Sequence, residues 1–177
     1  MSQLFSNNNS VPLYLAAYFA VDNYDYEPGV ISATRIMQHP KKLILASRTS
    51  PEQRVTDVAD LIASRTGTSI HDGVEHIWTS DLYKTGLRNL GYPEEVIERI
   101  KVNVPKADLK PGDIPVYAEE RLYKEFMGYM LSGKFDFIGE GVLHDLKTTG
   151  TFTWEHQTKV DDYKLQGSIY RLSLIHI

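Results

Sequence analysis

Apolar residues recur at helical spacing through the first two thirds of the chain and at a spacing of two after Pro115. Ser32 can cap a helix that reaches about Ser47, with Ile36, Leu43 and Ile44 as its apolar positions and an interruption at His39-Pro40. Ser50-Pro51-Glu52-Gln53 has the form of a capped helix start, and Val55, Val58, Ala59 and Ile62 follow it at helical spacing up to a break at Gly67. The pattern resumes at Thr68, runs through Ile70, Val74, Ile77, Trp78 and Leu82, and stops near Leu90 at Gly91-Tyr92-Pro93. Residues 93–100 predict a short helix with acids in its first turn, and 105–115 a loop. Period-two patterning then predicts three strands over 116–129, 134–138 and 142–148, with turns at Gly133 and at Gly139-Glu140-Gly141. From about Val160 a helix returns, with Tyr163, Gln166, Gly167 and Tyr170 on one face. Residues 1–10 read as a polar, frayed start. This order of elements predicts an α/β or α+β fold, a small mixed sheet with a three-strand meander flanked by helices.

The strand hairpin carries the candidate chemistry. Asp145 and Lys147 are two apart, so both side chains point to one face. A two-residue loop at Glu140-Gly141 sets Gly139 opposite Val142 and Asp136 opposite Asp145; a four-residue loop gives the same register. The other face then pairs Phe135 with Leu146 and Phe137 with His144, which reads as a core face. Two facing carboxylates repel unless a proton or cation lies between them, and oxygen ligands select hard cations such as Mg2+ or Mn2+. On spacing alone, a solvated ladder of ion pairs on an exposed sheet face fits Asp136, Asp145 and Lys147 equally well.

Composition narrows the classes. A chain of 177 residues, 42% apolar and 24% charged, is one domain with a core and not an intrinsically disordered chain. Nineteen Lys and Arg against 23 Asp and Glu give a net charge of −4, which excludes coating nucleic acid by bulk positive charge but not a local basic groove. The absence of cysteine excludes a disulfide scaffold, a zinc–cysteine site, an iron–sulfur cluster and cysteine catalysis. No glycine-rich phosphate loop with Lys and Ser/Thr is present, so no ATPase is attached. The apolar stretch 11–21 contains Pro12 and is too short for a bilayer, and the first basic residue is Arg35; an ordinary buried or partner-facing segment is expected there.

Phe135-Asp136 followed by Asp145-Leu146-Lys147 resembles the D…(D/E)-x-K signature of the PD-(D/E)XK nuclease superfamily, with Phe where the name motif has Pro. Gly67-Thr-Ser-Ile-His71-Asp-Gly-Val-Glu75 resembles the G-x-x-x-H-x-x-x-E helix of the RecB-like exonuclease branch. Gln166-Gly-Ser-Ile-Tyr170 resembles its Q-x-x-x-Y helix, and Ser32-Ala-Thr-Arg35, more weakly, its short N-terminal motif. The resemblance covers about residues 31–171, in the family's order, after an N-terminal segment 1–30. It implies a restriction-endonuclease-like core and a Mg2+- or Mn2+-dependent DNA exonuclease, rather than an endonuclease, without an iron–sulfur cluster. Asp136, Asp145 and Lys147 are then the catalytic residues, and His71, Asp136 and Asp145 the metal ligands. Glu75, Gln166, Tyr170 and Arg35 touch DNA or support the site. A role in recombination, repair or phage DNA processing is implied, in the cytoplasm of a bacterial or phage-infected cell, with a recombination or single-strand-binding protein as partner. The alternative is a catalytically inactive DNA-binding or assembly module on the same fold. The end, Leu172-Ser-Leu-Ile-His-Ile177, matches the translation of a transposon end used in sequencing libraries. It is therefore expected to be a non-native tail on a domain truncated at its C-terminus, which resequencing the locus tests.

Overall fold

The Ser32 cap forms as the sequence predicts: its Oγ accepts from the Arg35 amide at 3.3 Å, between strand β2 (Val30–Ser32) and helix α2 (Ala33–Ile36). Pro40 then opens α3 (Pro40–Arg48), with the His39 Nδ1 accepting from the Lys41 amide at 3.2 Å. The structure is a computed structural model and describes residues 4–21, 27–49 and 55–171. The helix start read at 50–53 and the tail at 172–177 lie outside the described residues. Within them the fold is mixed α/β, with eight α-helices and three small sheets. No described helix is long and apolar enough to cross a membrane.

Residues 4–10, expected to be frayed, are tied into the fold. Strand β1 (Leu4–Ser6) pairs in parallel with β3 (Val55–Asp57), so Val55 lies in a strand and not in the predicted helix. Its spacing from Val58 and Ile62 is met instead by a 3-10 turn at Val58–Leu61 that leads into helix α4 (Ile62–Thr79). Helix α1 (Leu13–Phe19), absent from the predicted elements, buries Ala16 and Phe19 against Val58 and leaves Leu13 and Tyr14 exposed. Asp57 ties this corner together. Its carboxylate accepts from the amides of Asn8 at 2.7 Å and Ala59 at 3.0 Å, and from Ser6 Oγ and Asn9 Nδ2. The Asn8 and Ala59 amides, with the Asn9 and Ser6 side chains, lower its pKa to about 2. A lowered pKa stabilises the fold above the unfolded carboxylate's pKa of about 3.9, and that contribution disappears as pH falls toward the folded value. Asp57→Asn is therefore expected to lower the melting temperature at neutral pH, with the deficit closing on acidification toward the folded pKa. Parallel melts of both proteins across that range check this.

Gly67 does not break a helix; it lies buried inside α4. A Cβ there would stand 2.6 Å from Thr148 Oγ1, so glycine lets the segment after the hairpin lie against this helix. Overpacking of this kind costs about 1–3 kcal/mol, more than the roughly 1 kcal/mol of helix propensity that alanine adds. Gly67→Ala should lower the melting temperature, and Gly67→Ala/Thr148→Ala should recover most of the loss. A double variant no better than the single one would show that Thr148 is not the obstacle.

The predicted helix over 68–90 is two, α4 and α5 (Leu82–Asn89), split at Ser80-Asp81. The stop at Gly91-Tyr92-Pro93 holds, and α6 (Glu94–Arg99) follows with Glu94 and Glu95 in its first turn. Strand β4 (Ile100–Val102) then pairs in parallel with β5 (Ile114–Ala118), which begins inside the predicted loop.

The meander differs most from expectation. Strand β5 is followed by β6 (Arg121–Phe126), β7 (Tyr129–Lys134), β8 (Phe137–Gly139) and β9 (Val142–His144). The turn assigned to Gly133 lies at Met127-Gly128, where φ is 50° and 79°; Gly133 is buried inside β7, opposite Leu122. Two successive left-handed residues form the tight turn that matches strand twist. Glu140-Gly141, at φ 53° and 73°, repeats it as the predicted two-residue loop. Paired residue numbers add to 255 in both the β5–β8 and the β6–β7 ladders. These are one long hairpin interrupted at 119–120 and 135–136, where Glu119 donates its amide to the Asp136 carbonyl and Phe135 to that of Glu120. Strand β2 extends the β6–β7 part in parallel, and β9 extends the β5–β8 part. After β9, helix α7 (Thr151–His156) precedes α8 (Val160–Ile169), the predicted last helix. The main core is Ala33, Tyr117, Phe135, Ile138 and Tyr170, so Phe135 is the core residue expected. Leu146 is not: β9 ends at His144, and Leu146 is exposed beyond the sheet.

Candidate metal centre

The interruption in the long hairpin is where the chemistry collects. Asp136 stands in the gap between β7 and β8, and Glu119, at φ 51°, stands opposite it in the gap between β5 and β6. A left-handed non-glycine residue stores strain, of order 1–3 kcal/mol, that the surrounding structure must hold. Helix α4 brings His71 over both. The His71 Nδ1 lies 3.3 Å from Asp136 Oδ1 and 3.5 Å from Glu119 Oε1. One ligand atom from each of His71, Glu119 and Asp136 falls within 4.8 Å of the others.

The surroundings set the charges. Burial raises the Asp136 pKa above the ordinary carboxylate value and the nearby Asp145 raises it further, against the Leu146 amide hydrogen bond and the charges of His71 and Lys147. Lys134 Nζ lies 2.9 Å from Glu119 Oε2 and 3.6 Å from Glu75 Oε2. Burial pulls its pKa down, but the Glu119 hydrogen bond and the charges of Glu119 and Glu75 outweigh this and raise it. Lys134 thus balances Glu119 when no cation does.

The β8–β9 register is the one the sequence predicts, Phe137 with His144 and Gly139 with Val142. Asp136 and Asp145 lie one step past its last pair. Asp145 does not join the triad with Asp136; it holds Lys147, with Nζ 2.8 Å from Oδ2 and 2.9 Å from Oδ1. Its place beside Asp136 and His71 is taken by Glu119, which the sequence reading does not single out. The signal was present: a two-residue turn at Met127-Gly128 sets Glu119 opposite Asp136 by counting back along both strands. Reading Gly133 as the turn hides it.

The donor set fits a divalent cation. One imidazole nitrogen and two carboxylate oxygens are ligands that several divalent cations accept. Ligands on opposite sides of an ion bound at about 2.1 Å stand about 4.2 Å apart, so small side-chain shifts close the triad around one. A cleft of about 350 Å3 opens beside it, with Arg65, Arg121 and Lys134 among its lining and Ser32, Thr34 and Thr68 supplying hydroxyls. Arg35 is not among its lining residues, although its neighbours Ser32–Thr34 are. Gln166 and Tyr170 are 6% and 3% exposed; Gln166 Nε2 donates to Tyr170 Oη at 2.8 Å, which donates to the Lys134 carbonyl at 3.0 Å. They support β7 at the cleft, which Tyr170 also lines. Glu75 faces Lys134. The fold and the site define a mixed α/β protein with a candidate divalent-metal centre. No family model, no curated protein and no solved structure matches the chain.

Proposed function

We propose that the protein is a metal-dependent deoxyribonuclease, an exonuclease of the RecB-like PD-(D/E)XK type on a restriction-endonuclease-like core. The observation that carries this is the meeting of His71, Glu119 and Asp136 within 4.8 Å beside the Asp145–Lys147 pair, on segments far apart in the chain. A bound Mg2+ or Mn2+ supplies Lewis acidity toward a phosphate oxygen and acidifies water. The residues that would hold it are His71, Glu119 and Asp136. Asp145 fixes the Lys147 ammonium, whose charge reaches Asp136, so it can donate to a phosphate oxygen as negative charge develops there. Arg65, Arg121 and Lys134 give the adjoining cleft a cationic side for the phosphate backbone. A role in recombination, repair or phage DNA processing follows from the resemblance.

End-labelled linear DNA and closed circular DNA, each incubated with Mg2+, Mn2+ or EDTA, test the reading. Linear DNA is expected to be degraded with metal and both to survive in EDTA. Cutting of the circle would make the enzyme an endonuclease; no cleavage by folded protein in either metal would reject nuclease function. Lys147→Ala is expected to lower turnover by about 10²-fold or more while leaving Mn2+ affinity intact, since an ammonium has no lone pair for a metal. Calorimetry with turnover measured at saturating metal separates the two effects.

A further inference from the structure

The stripe of α4 that presents His71 carries more than a metal ligand. Val74 and Trp78 follow at three and seven residues, on the same helical face. Facing them are Phe137 and His144, a cross-strand pair, and Leu146. These five side chains line a cavity of about 240 Å3, and His71, Glu119 and Asp136 line the same cavity. The ring centroid of Phe137 lies 4.8 Å from that of Trp78, the planes at 57°, and 5.9 Å from that of His144, at 61°. Trp78 also stacks on buried Tyr83, centroids 5.1 Å apart and planes at 10°, which fixes the indole. His144 and Leu146 are exposed at the mouth. One mostly apolar hollow is therefore lined both by aromatic side chains and by the three candidate ligands.

A ligand that matches both linings joins an anionic group to a flat aromatic ring by a short link. A nucleotide does so, its phosphate at the triad and its base, one sugar away, among the rings. We propose that this cavity receives the nucleobase of the nucleotide whose phosphate lies at the metal centre. The inference rests on the nuclease reading and adds to it a substrate form. A base inside a duplex has both faces stacked and must leave the stack to enter, whereas an unpaired base is free to do so. The preferred substrate is then single-stranded DNA or an unpaired end. The aromatic lining offers only the His144 imidazole and the Trp78 indole N–H as hydrogen-bonding groups, so it accepts bases mainly by stacking, with little reading of their edges.

The test uses the full chain carrying Lys147→Ala to slow turnover, titrated in Mn2+ with a single-stranded oligonucleotide and with the same sugar–phosphate strand lacking its bases. Removing the bases is expected to weaken binding about 5- to 150-fold, the equivalent of stacking one base. Adding His144→Ala, at an exposed position, should shrink that ratio at least about threefold. Trp78→Phe, which keeps a ring against Tyr83, should shrink it less. Equal binding of both strands, or a ratio unmoved in both variants, overturns the proposal; in the second case the bases sit elsewhere and the cavity takes something else, such as an apolar side chain of a partner. In a separate arm, the wild-type protein should cleave single-stranded DNA faster than blunt duplex, and equal rates also overturn it. Base-dependent binding without cleavage of any DNA would reject the nuclease reading and leave the base pocket standing. Cleavage without base dependence would do the reverse.

Discussion

Asp136→Asn should abolish metal-dependent DNA cleavage, by on the order of 10³-fold or more, and should raise the melting temperature in EDTA. The two effects have one cause. Burial and the neighbouring Asp145 hold the Asp136 pKa above the ordinary carboxylate value. For an acid with a raised folded pKa, ionisation opposes folding, so the cost is present above that pKa and relieved as pH falls through it. Asn removes the charge at every pH and keeps an oxygen for the Leu146 amide. A gain in melting temperature is therefore expected in EDTA at neutral pH, shrinking as pH falls. Mn2+ reverses the ranking. It binds the ionised carboxylate of the wild type and should raise its melting temperature with concentration, while the variant stays flat. Acidification weakens that rise in the wild type, because Asp136 must release its proton to bind the metal. Paired melts in EDTA and Mn2+, with the cleavage assay, check all of this. A variant destabilised in EDTA would mean that Asp136 supports the fold through its charge, and full cleavage would remove it from the chemistry.

Glu119→Gln is the second large effect expected. It should weaken Mn2+ affinity by about 10-fold or more, since ligand charge sets the affinity of oxygen sites and this carboxylate stands opposite Asp136 in the hairpin bend. The change keeps side-chain shape and the bend, and its amide oxygen can still accept from Lys134. Glu120→Gln, one residue on and outside the triad, is the control and should leave affinity unchanged. Calorimetric titration of the three proteins with Mn2+ decides. Equal affinity for Glu119→Gln and wild type would return the assignment to His71, Asp136 and Asp145.

Asp145 and Asp136 show how near the sequence comes. Strand parity and a two-residue turn are local properties, and they place Phe137 opposite His144 in the observed register. Local rules do not say where a ladder ends. The strands stop at Phe137 and His144, so Asp145 turns to Lys147 and Leu146 lies exposed instead of in the core. Val55 fails for a related reason. Its spacing fits a helix, but a parallel pairing with Leu4, some fifty residues away, claims it for a strand.

By itself, then, the sequence determined what nearest neighbours decide. The Ser32 cap, the stop before Pro93, the turn at Glu140-Gly141 and the shared face of Gln166 and Tyr170 each rest on a few adjacent residues. It also marked His71, Asp136, Asp145 and Lys147 as the residues to watch. Only the tertiary structure decided which of them meet. His71 meets Asp136 because helix α4 lies over the gap in the long hairpin. Glu119 enters because a long hairpin bends between β5 and β6, setting two carboxylates 17 positions apart directly opposite each other. Long-range packing sets those distances, and residue spacing along the chain carries no record of it.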